Sequence, residues 1–419
     1  MLSGLTIRGR CLLAAGVAAA ACSLALNERD LLRVAAFAAA LPLLALFLSA
    51  RTRVGLRGRR VVTPVRLPVN SQGSVDLVLD GRHRLPTGGL EVVDDLPAAL
   101  GERPRFRLRD LPRDQPAALR YAIRPGLRGI HHIGPLRVTV SDPLGLSEDQ
   151  RELADNSRLI AVPEVVQLAD LPVGSGLGAA GDGSTRLRAG HGDDDSMLRQ
   201  YRHGDDMRRV HWKSTAHRDE LMVRAEERPW HGAITVLLDR RSAAHRGRGA
   251  QSSVEWAISA VASVTTHLHQ HGHQVRLVTQ DGQTLSEATG WTGGGRDDDA
   301  VLDALAAVRP STSRDLSFDR DPGDGRQLIA VLGAVTSSGV TELTKLRPQG
   351  AQSMAVLLDV RRWSGDSPDG SYEPQEAARR LRAAGWHVVI AGGPRTSVAT
   401  AWSELCRASS GSASAGAGS

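Results

Sequence analysis

The sequence predicts a membrane-anchored, multidomain chain: a two-helix transmembrane hairpin, a small antiparallel β-sandwich, and an α/β domain with a mainly parallel sheet. Three observations lead there. Two Ala/Leu-rich apolar runs open the chain, short apolar runs between Gly and Pro follow, and beyond Trp230 near-continuous apolar strands alternate with helical segments. A length of 419 residues accommodates two or three domains, each with its own core.

The first apolar run, 11–26, is uncharged, and the second, 31–50, carries only Arg33; Asn27-Glu28-Arg29-Asp30 joins them. At about 1.5 Å per residue the first covers about 24 Å, short of a hydrocarbon core of about 30 Å, so flanking residues must extend it. Arg33 can snorkel to the interface. A cleaved signal peptide behind Arg8 and Arg10, or a lipoprotein signal ending at Cys22, is the alternative. A second apolar run following at once, and Ala19 where such a signal prefers a larger aliphatic residue, speak against it. Arg8 and Arg10 precede the first span, and Arg51, Arg53, Arg57, Arg59, Arg60 and Arg66 follow the second. This bias places both termini and the later domains in the cytoplasm, with the arginine cluster against anionic inner-leaflet lipids. The hairpin with its basic flank is thus assigned to 1–60, and deleting Met1–Arg60 is expected to leave a soluble remainder.

Composition narrows the function classes. The net charge is +6 (52 Lys and Arg against 46 Asp and Glu), but aromatic residues are 3% of the chain and none interleaves with the arginine cluster. No stacking platform for nucleic acid is present, so a basic nucleic-acid binder ranks third among the readings, and no nucleic-acid partner is expected. Cys11, Cys22 and Cys406 offer neither a disulfide framework nor zinc spacing.

Residues 61–167 have strand-and-turn texture, with runs at Val75–Leu79, Phe106–Leu108, Leu119–Ile123 and Leu136–Val140, and read as the β-sandwich. Asp142-Pro143 starts a turn in which Gly145 can supply a positive φ. The stretch 168–196 is a Gly-rich linker with no Gly-Lys-Ser/Thr phosphate loop. In 231–408, strands at 234–239, 275–279, 328–333, 354–360 and 388–391 alternate with helices at 254–270, 300–308, 340–346, 374–384 and 398–407, the pattern of a parallel sheet covered on both faces. The Ser/Ala/Gly tail 409–419 reads as disordered.

The densest run of ionic, aromatic and turn residues lies in 197–230. It reads R-x-Y-x-x-G-D-x-x-R-x-x-H-W-x-x-T-A, with Arg199, Tyr201, Gly204, Asp205, Arg208, His211 and Trp212 at the fixed places. Asp205 can cap a helix over 207–216 and pair with Arg199 or Arg208, while Tyr201 and Trp212 join apolar bulk to a polar tip. The segment is either an interdomain clasp or a docking face. His191, Asp193, Asp194 and Asp195 with His203, Asp205, Asp206 and His211 suggest a metal cluster only superficially, since His191 and the three aspartates lie in or beside the linker, Asp205 or Asp206 is better placed as a helix N-cap, and His211 falls on a helical stripe. No catalytic residues are assigned.

This pattern resembles the signature of the bacterial family known as domain of unknown function 58. Arg124–Leu136, the D-P-x-G-L turn at Asp142–Leu146 and Glu220–Glu226 are similar to further parts of it. The resemblance implies a membrane hairpin, a β domain and a von Willebrand factor A-like domain in the bacterial cytoplasmic membrane. It also implies partnership with a MoxR-type AAA+ ATPase and a transglutaminase-like membrane protein. The expected function is a non-enzymatic scaffold or adaptor in assembly or maturation of a membrane or envelope complex. A hydrolase or metal-dependent enzyme using the carboxyl-end cleft is the alternative. A magnesium-binding von Willebrand factor A domain carries D-x-S-x-S after its first strand, whereas here Asp239 remains and Arg241 and Ala243 take the serine places. Ser242 could serve only after a local shift, so neither metal nor cofactor is expected. Gly333-Ala334-Val335-Thr336 likewise lacks the carboxylate of a T-D-G turn.

Overall fold

The structure, a computed structural model, describes residues 4–52, 56–81, 89–109, 116–169, 198–200, 222–224, 231–287, 296–318, 321, 323, 326–345, 353–363 and 372–415. They form two compact units, Met1–Val162 and Pro163–Ser419.

The first unit opens with helices α1 (Ile7–Leu26) and α2 (Arg29–Thr52). The Thr6 hydroxyl caps α1 by accepting from the Gly9 N–H. Asn27, in the left-handed region, ends it with its N–H on the Ser23 carbonyl. Gly9, Gly16 and Ser23 are buried at seven-residue spacing. A Cβ at Gly16 would lie 2.9 Å from the Ala39 nitrogen, so a small residue is what lets the two backbones touch. Both helices are long and apolar enough to cross a membrane, over Ile7–Leu26 and Arg29–Ser49. The expected shortfall in the first span disappears because the helix starts at Ile7; its 20 residues extend about 30 Å and take Arg8 and Arg10 into the first turns.

Ten strands follow: β1 (Leu56–Thr63), β2 (Arg66–Pro68), β3 (Gly73–Gly81), β4 (Gly89–Asp94), β5 (Arg105–Leu108), β6 (Ala117–Ile123), β7 (Gly129–Ile133), β8 (Leu136–Ser141), β9 (Glu148–Ala154) and β10 (Ser157–Val162). They pair as β1-β3-β6, β5-β4-β8-β9 and β2-β10-β7. Alternation aims Leu90 and Val92 of β4 and Leu136, Val138 and Val140 of β8 at Val75, Leu77 and Leu79 of β3, forming one core. Every pairing is antiparallel except β10 with β2, which is parallel, so the all-antiparallel expectation needs that amendment.

The basic flank also needs correction. Arg57, Arg59 and Arg60 belong to β1, not to a juxtamembrane stretch, and the β unit begins at Leu56 rather than Val61. Arg57 and Arg59 are exposed. Arg60 is buried: its guanidinium forks onto the Asp94 carboxylate, with Nε 2.9 Å from Oδ2, while Nη1 donates to the Ile133 carbonyl at 2.9 Å. Tyr121 adds its hydroxyl to Asp94 Oδ2 at 2.7 Å. A buried, fully paired arginine is unavailable to lipid headgroups. A cut after Arg60 would remove five residues of β1 and this ion pair, so a soluble remainder must begin before Leu56.

In the second unit β11 (Leu198–Gln200) and β12 (Met222–Arg224) form an antiparallel pair. There follow β13 (His231–Leu238), α3 (Ser253–Gln270), β14 (His273–Thr279), β15 (Thr284–Glu287), α4 (Arg296–Ala307), β16 (Gln327–Leu332), α5 (Ser337–Lys345), β17 (Ser353–Leu358), α6 (Pro374–Ala383), β18 (Trp386–Ala391) and α7 (Val398–Ala415). The sheet order is β15-β14-β13-β16-β17-β18, parallel apart from the edge strand β15. Residues of α3, α4 and α7 share one core with the sheet, and residues of α5 and α6 share the other. All six residues of β16 and of β17 are buried, which is why they read as unbroken apolar runs.

Two boundaries differ from expectation. Residues 163–167 belong to the α/β unit, not to the β domain, and the first residues assigned to the linker join them: Val166 and Leu168 pack on its core, the Val166 N–H donates to Ser263 Oγ at 2.9 Å, and Ser259 Oγ donates to the Glu164 carbonyl at 2.7 Å. The tail is not disordered from Ser409. Helix α7 runs to Ala415, with Ser409 buried and its hydroxyl on the Cys406 carbonyl, because Ser and Ala continue a helix once its apolar face is docked.

Candidate functional site at the strand ends

Strand order reverses between β14 and β16 around the first parallel strand, β13. A crevice therefore opens beyond the carboxyl ends of β13 and β16, where α/β sheets bind ligands. Asp239 leaves β13 into that crevice and is 0% exposed; Arg241, two residues on, is 1% exposed. The guanidinium meets the carboxylate as a fork, with Nε 2.9 Å from Oδ1 and Nη2 2.8 Å from Oδ2. The Arg241 N–H reaches Oδ1 at 3.1 Å and the Gly333 N–H reaches Oδ2 at 3.2 Å. All four acceptor directions of the carboxylate are thus filled. Arg241 also donates from Nη1 to the Arg314 carbonyl and from Nη2 to the Ala334 carbonyl, both at 2.9 Å, so four of its five N–H groups have partners.

The loop is held by its own residues. Ser242–Ala244 form a single 3₁₀ turn, with the Ser242 N–H on the Ser311 carbonyl at 2.8 Å. Ser242 is exposed, so its hydroxyl does not turn into the site as a shifted ligand would. His245 is buried between Asp239 and Ser253, its Nε2 2.8 Å from the Asp239 carbonyl and its Nδ1 3.0 Å from Ser253 Oγ. Ser253 Oγ accepts from the Arg246 N–H, which leaves the Ser253 proton for Nδ1 and fixes the Nε2–H tautomer. Burial holds the His245 imidazole below its usual range; Asp239 opposes this, and Arg241 and Arg246 reinforce it.

The same chemistry recurs along the crevice. Asp359 ends β17, is 4% exposed, and meets Arg361 Nε at 2.9 Å and Arg362 Nε at 3.3 Å. Asp281, beyond β14, takes Arg240 Nη2 at 2.6 Å. Tyr372 lies above Gly333 and Leu358, with its hydroxyl 3.4 and 3.3 Å from their carbonyls. Burial, then the Asp359 charge, push its pKa upward, so it remains a phenol rather than a base. Each strand-end carboxylate here therefore carries an arginine. Among the described residues, each of these carboxylates is thus neutralised by a guanidinium, and the oxygens of Asp239 are taken up by protein N–H groups.

Among the described residues no three His, Cys, Asp or Glu side chains cluster to hold a metal. Of the signature, Arg199 lies in β11; Tyr201, Gly204, Asp205, Arg208, His211 and Trp212, the helix over 207–216 and the acidic run at 193–195 lie outside the described residues. Arg199 pairs with Val223 and Gln200 with Met222, so two short paired strands flank the signature in the chain. Arg314, His245, Ser253 and Arg361 escaped the sequence reading. A signal for Arg361 was present: Val236-Leu237-Leu238-Asp239-Arg240-Arg241 recurs as Val356-Leu357-Leu358-Asp359-Val360-Arg361-Arg362. A separate groove of about 380 Å³ lies between 165–168 and α3, lined by Ser263, Thr266, His267 and His271.

No curated protein matches the chain. Among solved structures, a CARDB domain from Pyrococcus furiosus, crystallised in complex with di-metal ions, is similar at 15% identity over 26% of this chain and 87% of that one, with a TM-score of 0.19. An alkylpurine DNA glycosylase from Pseudomonas fluorescens, bound to DNA containing an abasic site analog, is similar at 18% identity over 30% and 39%, with a TM-score of 0.14. Cwp6 from Clostridium difficile is similar at 11% identity over 80% and 37%, with a TM-score of 0.13. Scores this low carry no argument about fold or chemistry. Residues 197–337 match the model of the family described as protein of unknown function DUF58, and that match, spanning both the signature and the Asp239–Arg241 loop, supports the DUF58 family for this chain.

Proposed function

We propose that the protein is a non-enzymatic, membrane-anchored scaffold or adaptor, working with a MoxR-type AAA+ ATPase and a transglutaminase-like membrane protein in assembly or maturation of a membrane or envelope complex. The observation that carries the non-enzymatic reading is the crevice closed by Arg241, in which every oxygen of Asp239 already accepts from a protein N–H. A metal-dependent hydrolase would need those oxygens for an ion. The sheet order with its antiparallel edge strand supports a von Willebrand factor A-like domain, used here as a rigid binding module. The two apolar helices support an anchor, and the arginine bias supports a cytoplasmic side for both termini and both folded units in the bacterial inner membrane. The signature between β11 and β12 supplies the docking face or the clasp.

The test is affinity capture of the full chain from native membranes, with the bound proteins identified. Enrichment of an AAA+ ATPase that is lost in Asp205→Ala, while the melting curve is unchanged, supports a docking face. Recovery of neither an ATPase nor a transglutaminase-like protein, in ATP or in ADP, sinks the adaptor reading. A C-terminal tag should resist protease in intact spheroplasts, and cleavage without lysis reverses the topology.

A further inference from the structure

The turn between β8 and β9, Asp142–Ser147, is fastened to the ends of both apolar helices. Thr6, at the start of α1, donates its N–H to the Leu146 carbonyl at 3.0 Å and its hydroxyl to the Gly145 carbonyl at 2.8 Å. A Cβ at Gly9 would lie 2.1 Å from the Leu146 oxygen, so the turn presses directly on the α1 backbone. On the other side Ser147 Oγ bonds to Ser49 Oγ at 2.5 Å and donates to the Ala45 carbonyl at 3.2 Å. Ala45 lies four residues inside the apolar stretch Arg29–Ser49, about 6 Å along the helix axis. Gly9 lies two residues inside Ile7–Leu26. The turn thus overlaps the two spans by about one helical turn.

Its backbone is furnished for a place poor in water. Asp142 Oδ2 accepts from the Leu144 N–H, Oδ1 from the Ser147 N–H, and the Asp142 carbonyl from the Gly145 N–H; the Asp142 N–H donates to the Ser147 carbonyl. Pro143 has no N–H, and Gly145, at φ +66°, makes the bend without a Cβ penalty. Backbone groups so satisfied cost little to move towards hydrocarbon. At the tip Leu144 projects with 60% of its surface exposed, and it does so beside the ends of two apolar helices, where an apolar side chain would meet lipid rather than water.

We infer that Asp142–Ser147 is a membrane-interface contact: Leu144 inserts into the boundary between headgroups and acyl chains beside its own hairpin, and so holds the β unit against the bilayer. The inference rests on the reading of α1 and α2 as membrane spans and goes beyond it by assigning a lipid contact to the folded domain. It gives the D-P-x-G-L turn a task, with Asp142 and Gly145 building a self-bonded bend and Leu144 meeting lipid.

The experiment uses the full chain in phosphatidylethanolamine/phosphatidylglycerol vesicles, with Cys11→Ala and Cys22→Ala. Cys406 is left in place, since it is buried and its thiol is pushed up to about 11 by that burial. Leu144→Cys, Val17→Cys and Arg248→Cys are each labelled with a polarity-sensitive fluorophore and exposed to lipids spin-labelled at shallow or deep acyl positions. The expected result is blue-shifted emission at 144, quenched by the shallow label, with quenching at 17 by the deep label and none at 248. Quenching at 17 with water-like, unquenched emission at 144 overturns the inference and leaves the hairpin standing. No quenching at either position overturns the hairpin, and the inference with it.

Discussion

Replacing Arg241 with alanine should leave the Asp239 carboxylate charged, fully buried and short of two of its four donated hydrogen bonds, with the Arg314 and Ala334 carbonyls losing theirs as well. The backbone N–H of residue 241 survives the substitution, so two donors remain, that one and Gly333; the net loss at the carboxylate is the two guanidinium bonds and the counter-charge. Removing one partner of a buried pair costs about 3–5 kcal/mol. For a domain of this size about 2–4 °C accompanies each kcal/mol, so the α/β unit should melt about 6–20 °C lower. Tryptophan fluorescence of the full chain in detergent isolates that unit, because all seven tryptophans lie at or beyond Trp212. Arg240→Ala is the internal control: its partner Asp281 keeps a side chain 36% exposed, so water can take over that carboxylate and the loss should be smaller than for Arg241→Ala. The double variant Asp239→Leu with Arg241→Met should melt above Arg241→Ala, since it removes the stranded charge. Equal melting of Arg241→Ala and Arg240→Ala would refute the account of the crevice as an internally neutralised site.

Three further outcomes follow from the same geometry. Millimolar magnesium or manganese should leave the wild-type melt unchanged, because a ligand stabilises only by preferring the native state; a saturable upward shift abolished by Asp239→Ala would revive the metal-dependent reading. Since His245 has a folded pKa below its unfolded value of about 6.5, the unfolded chain binds the extra proton first, and stability should be full above that pH and fall as pH drops through it. His245→Gln should flatten the melting temperature between about pH 7 and 5, and an unchanged slope argues against a neutral buried imidazole. A fragment starting at Arg53 should fold with its β unit intact, whereas one starting at Val61 should lose it, because β1 pairs along β3 and Arg60 neutralises Asp94; circular dichroism and limited proteolysis distinguish the two.

Periodicity made the α/β half legible almost strand by strand. The parallel strands are buried on both faces, so their apolar runs depend on no partner that the sequence conceals. The edge strand Thr284–Glu287 was invisible because an exposed antiparallel edge needs little apolar character. In the β unit the polar strand Glu148–Ala154 left no apolar trace, because it is held by ladder bonds to β8 rather than by a buried face of its own. Charge was the most deceptive signal. Arg60 and Arg241 look like solvent-seeking residues in a basic chain, yet both are buried because a carboxylate distant in sequence (Asp94) or two residues away (Asp239) awaits them. Local composition registers the arginine but not its counter-charge. The Asp239 loop could be read as spoiled for metal from residue types alone; that the guanidinium itself occupies the place is a matter of three-dimensional reach.

That reach has a consequence for how the α/β domain can recognise anything. A bound divalent ion is exchangeable and can leave a coordination position open, which lets a partner's carboxylate complete the shell and makes recognition conditional on the ion. Arg241 can do neither. It is tethered two residues from its carboxylate, cannot lose its charge at physiological pH, and already donates four hydrogen bonds into the protein. The recurrence at Asp359 with Arg361 and Arg362 extends this permanence to the end of β17, two strands away. The carboxylates at these strand ends are therefore matched by fixed charges within the protein itself.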